Sequence, residues 1–151
     1  MEKLLDTNVS LELAREAYTK QARHMVINPS RIFLQVPEGA SVYCMTAHVL
    51  GSLSVAVKIA RVGPRNASMM IPTTLATLYV YNSQTGELIA EIEAETLTAM
   101  RTAASTAVAT EKLARTSSSV LGLFGTGKQA QAHVPAILNV RPIETILTYA
   151  R

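Results

Sequence analysis

The sequence has few of the residues on which several classes of protein depend. Its 151 residues include one cysteine, Cys44, so no disulfide can form within the chain. Cys44 lies in an apolar, strand-like run, which favours a buried structural thiol. Aromatic residues make up 5% of the chain, and its 14 lysines and arginines are scattered rather than clustered. We therefore expect no nucleic-acid partner.

Long hydrophobic runs and metal-binding clusters are also missing. No apolar stretch approaches the roughly 18 residues that a membrane span needs, and the segment Met1–Asp6, with its acidic residues, does not resemble a signal peptide. We expect a cytoplasmic protein with no membrane partner. The three histidines, His24, His48 and His133, lie on different predicted elements without cysteine or carboxylate at ligand spacing, so no metal is predicted.

What the chain does contain is enough apolar residues for a core, at 48% of the total. Helical spacing predicts a first helix over residues 11–25, with Ser10 as its N-terminal cap. Alternating apolar residues predict five strands, over residues 31–36, 42–49, 53–62, 75–81 and 87–92. The first part of the chain is therefore predicted to be α+β, with a helix and a mostly antiparallel sheet.

Three basic residues stand out as ligand candidates. Strand alternation places Lys58 on a face of small residues, where a ligand has room. The commoner alternative is a lysine on an edge strand that points to water. Arg31 begins a strand and Arg101 lies in a long predicted helix, and singly each fits a surface charge. Together, the three cations suit a substrate carboxylate.

The second part of the chain centres on a glycine motif. A long predicted helix ends near Arg115, and the polar residues 116–119 give the expected domain boundary. The apolar run Val120–Phe124 predicts a buried parallel strand. It ends at Gly125-Thr126-Gly127, before a helix predicted over residues 128–138. Gly125 allows a tight turn, and Gly127 lets the backbone approach a pyrophosphate at the helix N-terminus.

Two interpretations of this motif are open. With a second strand predicted over residues 143–149, it starts the first β-α-β of a Rossmann domain. Gly122 to Lys128 also fits a P-loop, whose next residue should be a serine or threonine that binds magnesium. The chain has Gln129 there, and Gly122 falls inside the predicted strand, so the P-loop is disfavoured. Pro135 is expected to kink or shorten the helix.

The cofactor preference depends on the end of the second strand. In Rossmann domains an acidic residue there binds the ribose 2′-hydroxyl of NAD, whereas an arginine suits the 2′-phosphate of NADP. Arg151 occupies this position, which slightly favours NADP over NAD. A solvated terminal arginine is the alternative of equal weight.

From Lys58 onward the chain resembles the ornithine cyclodeaminase/mu-crystallin family. The resemblance follows the segments Val57–Ile59, Ile71–Thr73 and Gln84–Glu87 in order. Its most specific part is Leu97–Ala104, which contains Arg101 and Thr102, followed by Gly125–His133 and Val140–Ile143. The segment Asn28–Arg31 is similar to the family segment that contributes a substrate arginine.

The resemblance implies a fold, a dimer and an activity. Family members pair a dimer-forming substrate domain with a Rossmann domain, so we expect a homodimer, a substrate/dimerisation domain over residues 1–115 and the start of an NAD(P)-binding domain over 116–151. The implied activity is an NAD(P)-dependent oxidoreductase or deaminase that acts on a small amino or imino acid. The family's catalytic aspartate would lie beyond Arg151, so the chain alone is expected to be an inactive fragment. A mu-crystallin-like binding or dimerisation module is the alternative.

The resemblance also implies roles for individual residues. Arg31, Lys58 and Arg101 match positions that bind the substrate carboxylate, and Lys58 also matches a position that assists proton transfer. The positions that match cofactor contacts are Thr102, Gly125, Thr126, Gly127, Lys128 and Gln129.

Overall fold

The computed structural model describes residues 5–63 and 65–150 and divides into two compact units. The sheet unit is Lys20–Glu95, and the helical unit combines Met1–Thr19 with Thr96–Arg151. This division groups the first helix and the long helix with the glycine motif. The expected domains 1–115 and 116–151 follow a different criterion, the start of a nucleotide-binding domain, and remain a prediction.

The sheet unit is built from six antiparallel strands. Their order is β1-β3-β4-β5-β6, and β2 also pairs with β3. Their bounds are β1 Val26–Ile27, β2 Ile32–Gln35, β3 Ser41–Val49, β4 Ser54–Val62, β5 Thr74–Asn82 and β6 Leu88–Glu93. The five predicted strands agree with β2–β6 to within one residue at each end. The two residues of β1 were missed because so short a segment shows no alternation.

The position of β4 inside the sheet decides between the two interpretations of Lys58, as a ligand-facing residue or as a charge on an edge strand. Strand β4 pairs with β3 on one side and β5 on the other, so Lys58 lies opposite Met45 and Leu78. The edge-strand interpretation of Lys58 is therefore wrong, because both edges of its strand carry hydrogen-bonded partners. The predicted alternation holds, since Ala56 and Ala60 share the face of Lys58 and are paired in the same register.

The helical unit contains a parallel β-α-β element. Strands β7, Val120–Phe124, and β8, Thr145–Tyr149, pair in parallel, with Val120 opposite Thr145 and Phe124 opposite Tyr149. Helix α3, Lys128–Val140, connects them, and helix α2, Glu95–Leu113, precedes them. A helical crossover is the usual connection between parallel strands. The predicted strand-turn-helix-strand order is therefore present.

Helix α1, Thr7–Ala22, begins three residues before its predicted cap. The Val9 backbone N–H donates to Asp6 Oδ1 at 2.8 Å, so Asp6 provides the N-terminal cap. Ser10 instead lies inside the helix and donates its hydroxyl to the Asp6 carbonyl at 2.7 Å. The Ser10 prediction was wrong because Asp6 offers a stronger acceptor one turn earlier.

The core of the helical unit consists mostly of alanine. Leu11 of α1, three alanines of α2 and two residues of α3 are buried together: Ala103, Ala104, Ala107, Ala136 and Ile137. Small side chains on facing helices let the backbones approach closely. Pro135 precedes the two buried residues of α3, yet the helix continues to Val140. Pro135 was expected to kink or shorten α3. The shortening was wrong, because the helix ends two residues beyond the predicted Leu138, and burial of Ala136 and Ile137 favours helix beyond the proline. The kink stays a prediction.

Arg141 joins the ends of α2 and α3. Its guanidinium Nη2 donates to the carbonyls of Thr110, Glu111 and Ala114, at 2.9, 2.7 and 2.8 Å. Arg141 is buried, with 8% of its surface exposed. Thr110 and Glu111 lie in the last turn of α2, and Ala114 follows its end at Leu113. Carbonyls at a helix C-terminus have few intrahelical donors, although the Thr110 carbonyl also accepts from the Ala114 N–H at 3.0 Å. A positive charge at this end also complements the helix dipole. Arg141 therefore caps α2 from the end of α3.

Candidate functional site

The glycine motif forms a sharp turn between β7 and α3. Gly125 has φ +90°, in the left-handed region that favours glycine. Its N–H donates to the Tyr149 carbonyl at 2.7 Å, which ties the turn to the end of β8. The side-chain amide of Gln131 donates to the Thr126 carbonyl at 3.2 Å from the first turn of α3. The turn is thus fixed by hydrogen bonds at both of its ends.

Helix α3 begins without a side-chain cap. Gly127 is the N-terminal cap residue and, having no side chain, makes no side-chain cap hydrogen bond to α3. The first N–H groups of a helix have no intrahelical partner, and they lie at the positive end of the helix dipole. Lys128 adds a positive charge at the first helical position. The arrangement suits an anion bound by the backbone.

The glycines leave this helix end open. A Cβ atom built on Gly125 or Gly127 would meet no heavy atom within 4 Å. Gly127 has φ −73°, which any residue can adopt, so its lack of a side chain is not required by the backbone. The open space in front of α3 fits the pyrophosphate of a dinucleotide, which needs close backbone approach. The residues present therefore suit such a cofactor.

The P-loop alternative fits the structure poorly. Gly122 lies in the middle of β7, opposite Leu147 of β8, rather than in a loop. The turn between β7 and α3 contains only Gly125-Thr126-Gly127. A P-loop wraps four variable residues around the phosphates and then uses a serine or threonine for magnesium, whereas Gln129 follows Lys128 here.

Helix α2 presents a row of threonines beside α3. Thr102, Thr106 and Thr110 each donate a hydroxyl to the carbonyl four residues earlier, at 2.6, 3.1 and 2.9 Å. Thr106 Oγ1 is also 3.1 Å from His133 Nε2 of α3. Arg101 precedes Thr102 and is exposed. The row therefore contains Thr102, one of the predicted cofactor contacts.

The sheet unit presents two of the predicted cations on one face. Extending the β2–β3 register by one residue places Arg31 opposite Met45, and Met45 pairs with Lys58. The two cations thus occupy one cross-strand row, with backbones about 10 Å apart. The Arg31 guanidinium lies 5.5 Å from the centre of the Tyr43 ring, a cation–π distance. Long basic side chains at this spacing can share one carboxylate.

The structure separates the predicted site residues into two groups. Arg31 and Lys58 belong to the sheet unit. Arg101, Thr102 and the glycine turn with Lys128 and Gln129 belong to the helical unit. Arg151 lies outside the described residues. In the described part of the chain, no three histidine, cysteine or acidic side chains form a group that could hold a metal ion.

One carboxyl group of the helical unit has a shifted pKa. Arg15 Nε and Nη2 donate to the two carboxylate oxygens of Glu111, at 3.1 and 3.2 Å. This hydrogen bonding lowers the pKa of Glu111 below its usual value of 4.5, and the charge of Arg15 acts in the same direction. The pair joins α1 to the last turn of α2, remote in sequence from the glycine turn.

Four residues of these two groups were missed in the sequence. Tyr43 could have been found from strand alternation, which places it two residues from Met45 on the face of Lys58. Thr106 shares the four-residue spacing of Thr102. The contacts of His133 and Arg141 with the α2 segment gave no local signal, because those partners lie 27 residues or more away in the chain.

Comparison with protein families shows which family the chain belongs to. The model of the ornithine cyclodeaminase/mu-crystallin family matches residues 2–151. The chain belongs to this family. Its fold, a mixture of helices and strands with a mostly antiparallel sheet, matches the N-terminal part of solved family structures. The chain spans about half the length of the curated relatives that it matches.

Members of the family similar to this chain are enzymes with different substrates. Delta(1)-pyrroline-2-carboxylate reductase of Thermococcus litoralis, solved with NADH and L-proline, matches with a TM-score of 0.95 at 31% identity, over 99% of this chain and 46% of that chain. An archaeal alanine dehydrogenase dimer with bound NAD matches with a TM-score of 0.92 at 28% identity, over 99% and 46%. L-lysine cyclodeaminase of Streptomyces rapamycinicus is 38% identical over 101 residues, 66% of this chain and 29% of that protein.

None of the described helices is both long and apolar enough to cross a membrane.

Proposed function

We propose that this chain supplies the phosphate-binding turn and the carboxylate-binding sheet face of an NAD(P)-dependent amino or imino acid oxidoreductase or deaminase. The observation that carries the proposal is the uncapped N-terminus of α3 behind Gly125, in a chain of the ornithine cyclodeaminase/mu-crystallin family. Two solved relatives and one relative in sequence have names that indicate different substrates. The substrate is therefore proposed only as a class.

The proposed cofactor contacts all lie in the helical unit. Backbone N–H groups at Gly125-Thr126-Gly127 and at the start of α3 bind the pyrophosphate, and Lys128 adds charge. Gln129 and Thr102 are assigned by the family resemblance. A nicotinamide dinucleotide supplies the hydride acceptor and donor in such enzymes. Arg151 is proposed, more weakly, to favour NADP, while the solved relatives contain NAD or NADH.

The proposed substrate contacts are three basic residues. Lys58 is held in the centre of the sheet, where it donates hydrogen bonds to a substrate carboxylate and can exchange a proton with the substrate. Arg31 approaches the same cross-strand row, steadied by the Tyr43 ring. Arg101 is assigned to the substrate carboxylate by the family resemblance. An arginine contributes planar, two-pronged recognition, and a lysine contributes a mobile point charge.

Titration with NADH tests the phosphate-binding turn. Gly127→Ser places a side chain in the open space before α3, and its hydroxyl can cap the helix. We expect the substitution to preserve stability and to weaken NADH binding about tenfold or more, because the side chain competes with the pyrophosphate. NADH fluorescence measures the affinity, and urea unfolding measures the stability.

The control for this experiment is Gly122→Ser, three residues before the turn. A Cβ on Gly122 also meets no heavy atom within 4 Å, but Gly122 lies in β7. It should leave NADH affinity unchanged. Absence of NADH binding by the unmodified chain, or equal binding by the Gly127→Ser variant, would refute the proposed phosphate site.

Assays of turnover address the activity itself. We propose that the 151 residues alone do not turn over ornithine, alanine or a cyclic imino acid, because no described residue is assigned to the nicotinamide ring. An absorbance assay at the NADH band, with each substrate in turn, measures this. Clear turnover of any of them would show that the chain holds the nicotinamide as well as the pyrophosphate.

A homodimeric binding module is the second candidate function. Strand β2 exposes two apolar side chains, Ile32 at 70% and Leu34 at 56%, on the face opposite Lys58. Exposed apolar side chains of this kind mark a surface that another chain can cover. Sedimentation with and without NADH separates the candidates. A stable dimer without NADH affinity would favour the module, and an NADH-binding chain would favour the enzyme.

A further inference from the structure

His133 connects the two helices that contain the proposed cofactor contacts. Its Nδ1 lies 2.6 Å from the Gln129 carbonyl, one turn earlier in α3. Its Nε2 lies 3.1 Å from Thr106 Oγ1 of α2. The bond to Gln129 is local to one helix, as is common for polar side chains. The bond to Thr106 joins α3 to α2 and is therefore the one that can fix the spacing of the two helices.

The partners of His133 determine where its ring carries a proton. A carbonyl oxygen only accepts, so Nδ1 must donate to Gln129 and must be protonated. In the neutral ring Nε2 then accepts, and the Thr106 hydroxyl donates to it. The same hydroxyl lies 3.1 Å from the Thr102 carbonyl, so its single proton is shared between the two acceptors. The hydrogen-bond path therefore runs from the Gln129 carbonyl through His133 and Thr106 to the Thr102 carbonyl.

Both ends of this path are residues with a proposed role. Gln129 stands in the first turn of α3, beside the phosphate turn, and Thr102 follows Arg101 on α2. We propose that His133 is a positioning residue that holds these two cofactor-binding segments at a fixed separation. The inference rests on the proposed function, because the two segments matter together only if a dinucleotide contacts both. His133 itself does not need to touch the cofactor.

The hydroxyl of Thr106 offers the cleanest test. Thr106→Val removes the hydroxyl and keeps the branched shape, and we expect it to weaken NADH binding about fivefold, as for loss of one hydrogen bond. Thr106→Ser restores the hydroxyl and should restore the affinity. Thr110→Val is the matched control, since Thr110 makes the same bond to the carbonyl four residues earlier. It should bind NADH like the unmodified chain.

Each result of this experiment supports or overturns the inference. Unchanged affinity in Thr106→Val, failure of Thr106→Ser to restore it, or an equal loss in Thr110→Val would overturn the role of His133 while the proposed function stands. An unmodified chain that binds no NADH would overturn the proposed function, and the positioning role with it.

Nitrogen-15 NMR of the histidine rings tests the geometry without any cofactor. We expect the neutral ring of His133 to carry its proton on Nδ1, the minor tautomer of free histidine. Its Nε2 resonance should change in Thr106→Val and not in Thr110→Val. A neutral ring protonated on Nε2 would overturn the assignment whether or not the chain binds NADH.

Discussion

The sheet unit and the helical unit present their candidate ligand groups in opposite ways. In the sheet unit the groups are long basic side chains, Lys58 and Arg31, held in place by antiparallel register. In the helical unit they are backbone N–H groups that Gly125 and Gly127 leave uncovered. We therefore expect ligand binding at the sheet face to weaken when a side chain is removed. At the glycine turn, we expect ligand binding to weaken when a side chain is added.

The two units also differ in how they are stabilised. The sheet relies on hydrogen-bonded strands, with β4 in its interior. The helical unit packs alanines against each other and joins its helix ends through Arg141 and through the Arg15–Glu111 pair. We therefore expect individual side chains such as Arg141 to contribute more to stability in the helical unit than in the sheet unit. Substitutions in the helical unit test stability, and those in the sheet unit test ligand binding.

The largest effect is expected from Arg141→Met. The substitution keeps the aliphatic stem and removes the guanidinium that caps three carbonyls of α2. Loss of the guanidinium from these carbonyls should lower the free energy of unfolding by about 3 kcal/mol, because at least part of their hydrogen bonding is then missing inside the protein. Urea unfolding followed by circular dichroism measures it. Arg115→Met is the control, because Arg115 is exposed, and it should change stability by about 0.5 kcal/mol or less. Equal effects of the two substitutions would contradict the capping role.

Lys58→Met tests the sheet face. Loss of a charge-assisted hydrogen bond should weaken binding of an amino acid carboxylate by about tenfold or more. L-proline, present in the Thermococcus structure, is the probe for calorimetric titration. Arg61→Met is the matched control, since Arg61 lies on the other face of β4 and donates to Thr77 Oγ1 at 2.9 Å. Equal losses in both variants would argue for a general charge effect.

Gly125→Ala tests the glycine turn through the backbone. At φ +90° an alanine is strained, and we expect a stability loss of about 1–2 kcal/mol. The Gly127→Ser variant, whose position has φ −73°, should be as stable as the unmodified chain. Thermal unfolding of both variants distinguishes strain at Gly125 from blocking of the anion space at Gly127. If the Gly127→Ser variant were the less stable of the two, the backbone argument would fail.

The smallest effect is expected for the Arg15–Glu111 pair. The pKa of Glu111 is lowered in the folded chain, so the pair stabilises the fold fully above the unfolded value of about 4.5. This contribution is lost as the pH falls through the lowered pKa. The difference in urea midpoint between the unmodified chain and Arg15→Met should therefore shrink below that pH. Because both side chains are partly exposed, at 39% and 31%, the difference should be small and should fall with added salt. A difference that grew in acid would contradict the assignment.

Features determined by short-range pattern were predictable from the sequence. Alternation located strands β2–β6, and the apolar run before Gly125 located β7. The Gly125-Thr126-Gly127 turn was predicted from its two glycines, because the first allows a tight turn and the second leaves room for a close approach to the backbone. Family motifs around Arg101 and the glycine turn indicated the ornithine cyclodeaminase/mu-crystallin family, and the family model confirmed it.

Features that depend on partners distant in the chain needed the tertiary structure. Lys58 proved to be on an interior strand only when β3 and β5 were seen to pair with β4. Arg141 and His133 acquired roles only when α2 lay beside α3, because the groups of α2 and the residue after it that they contact are 27 or more residues away. Local sequence thus determined strands, helices and the glycine turn through backbone preferences. Tertiary packing decided which polar side chains found partners, because a hydrogen bond requires two groups within about 3 Å.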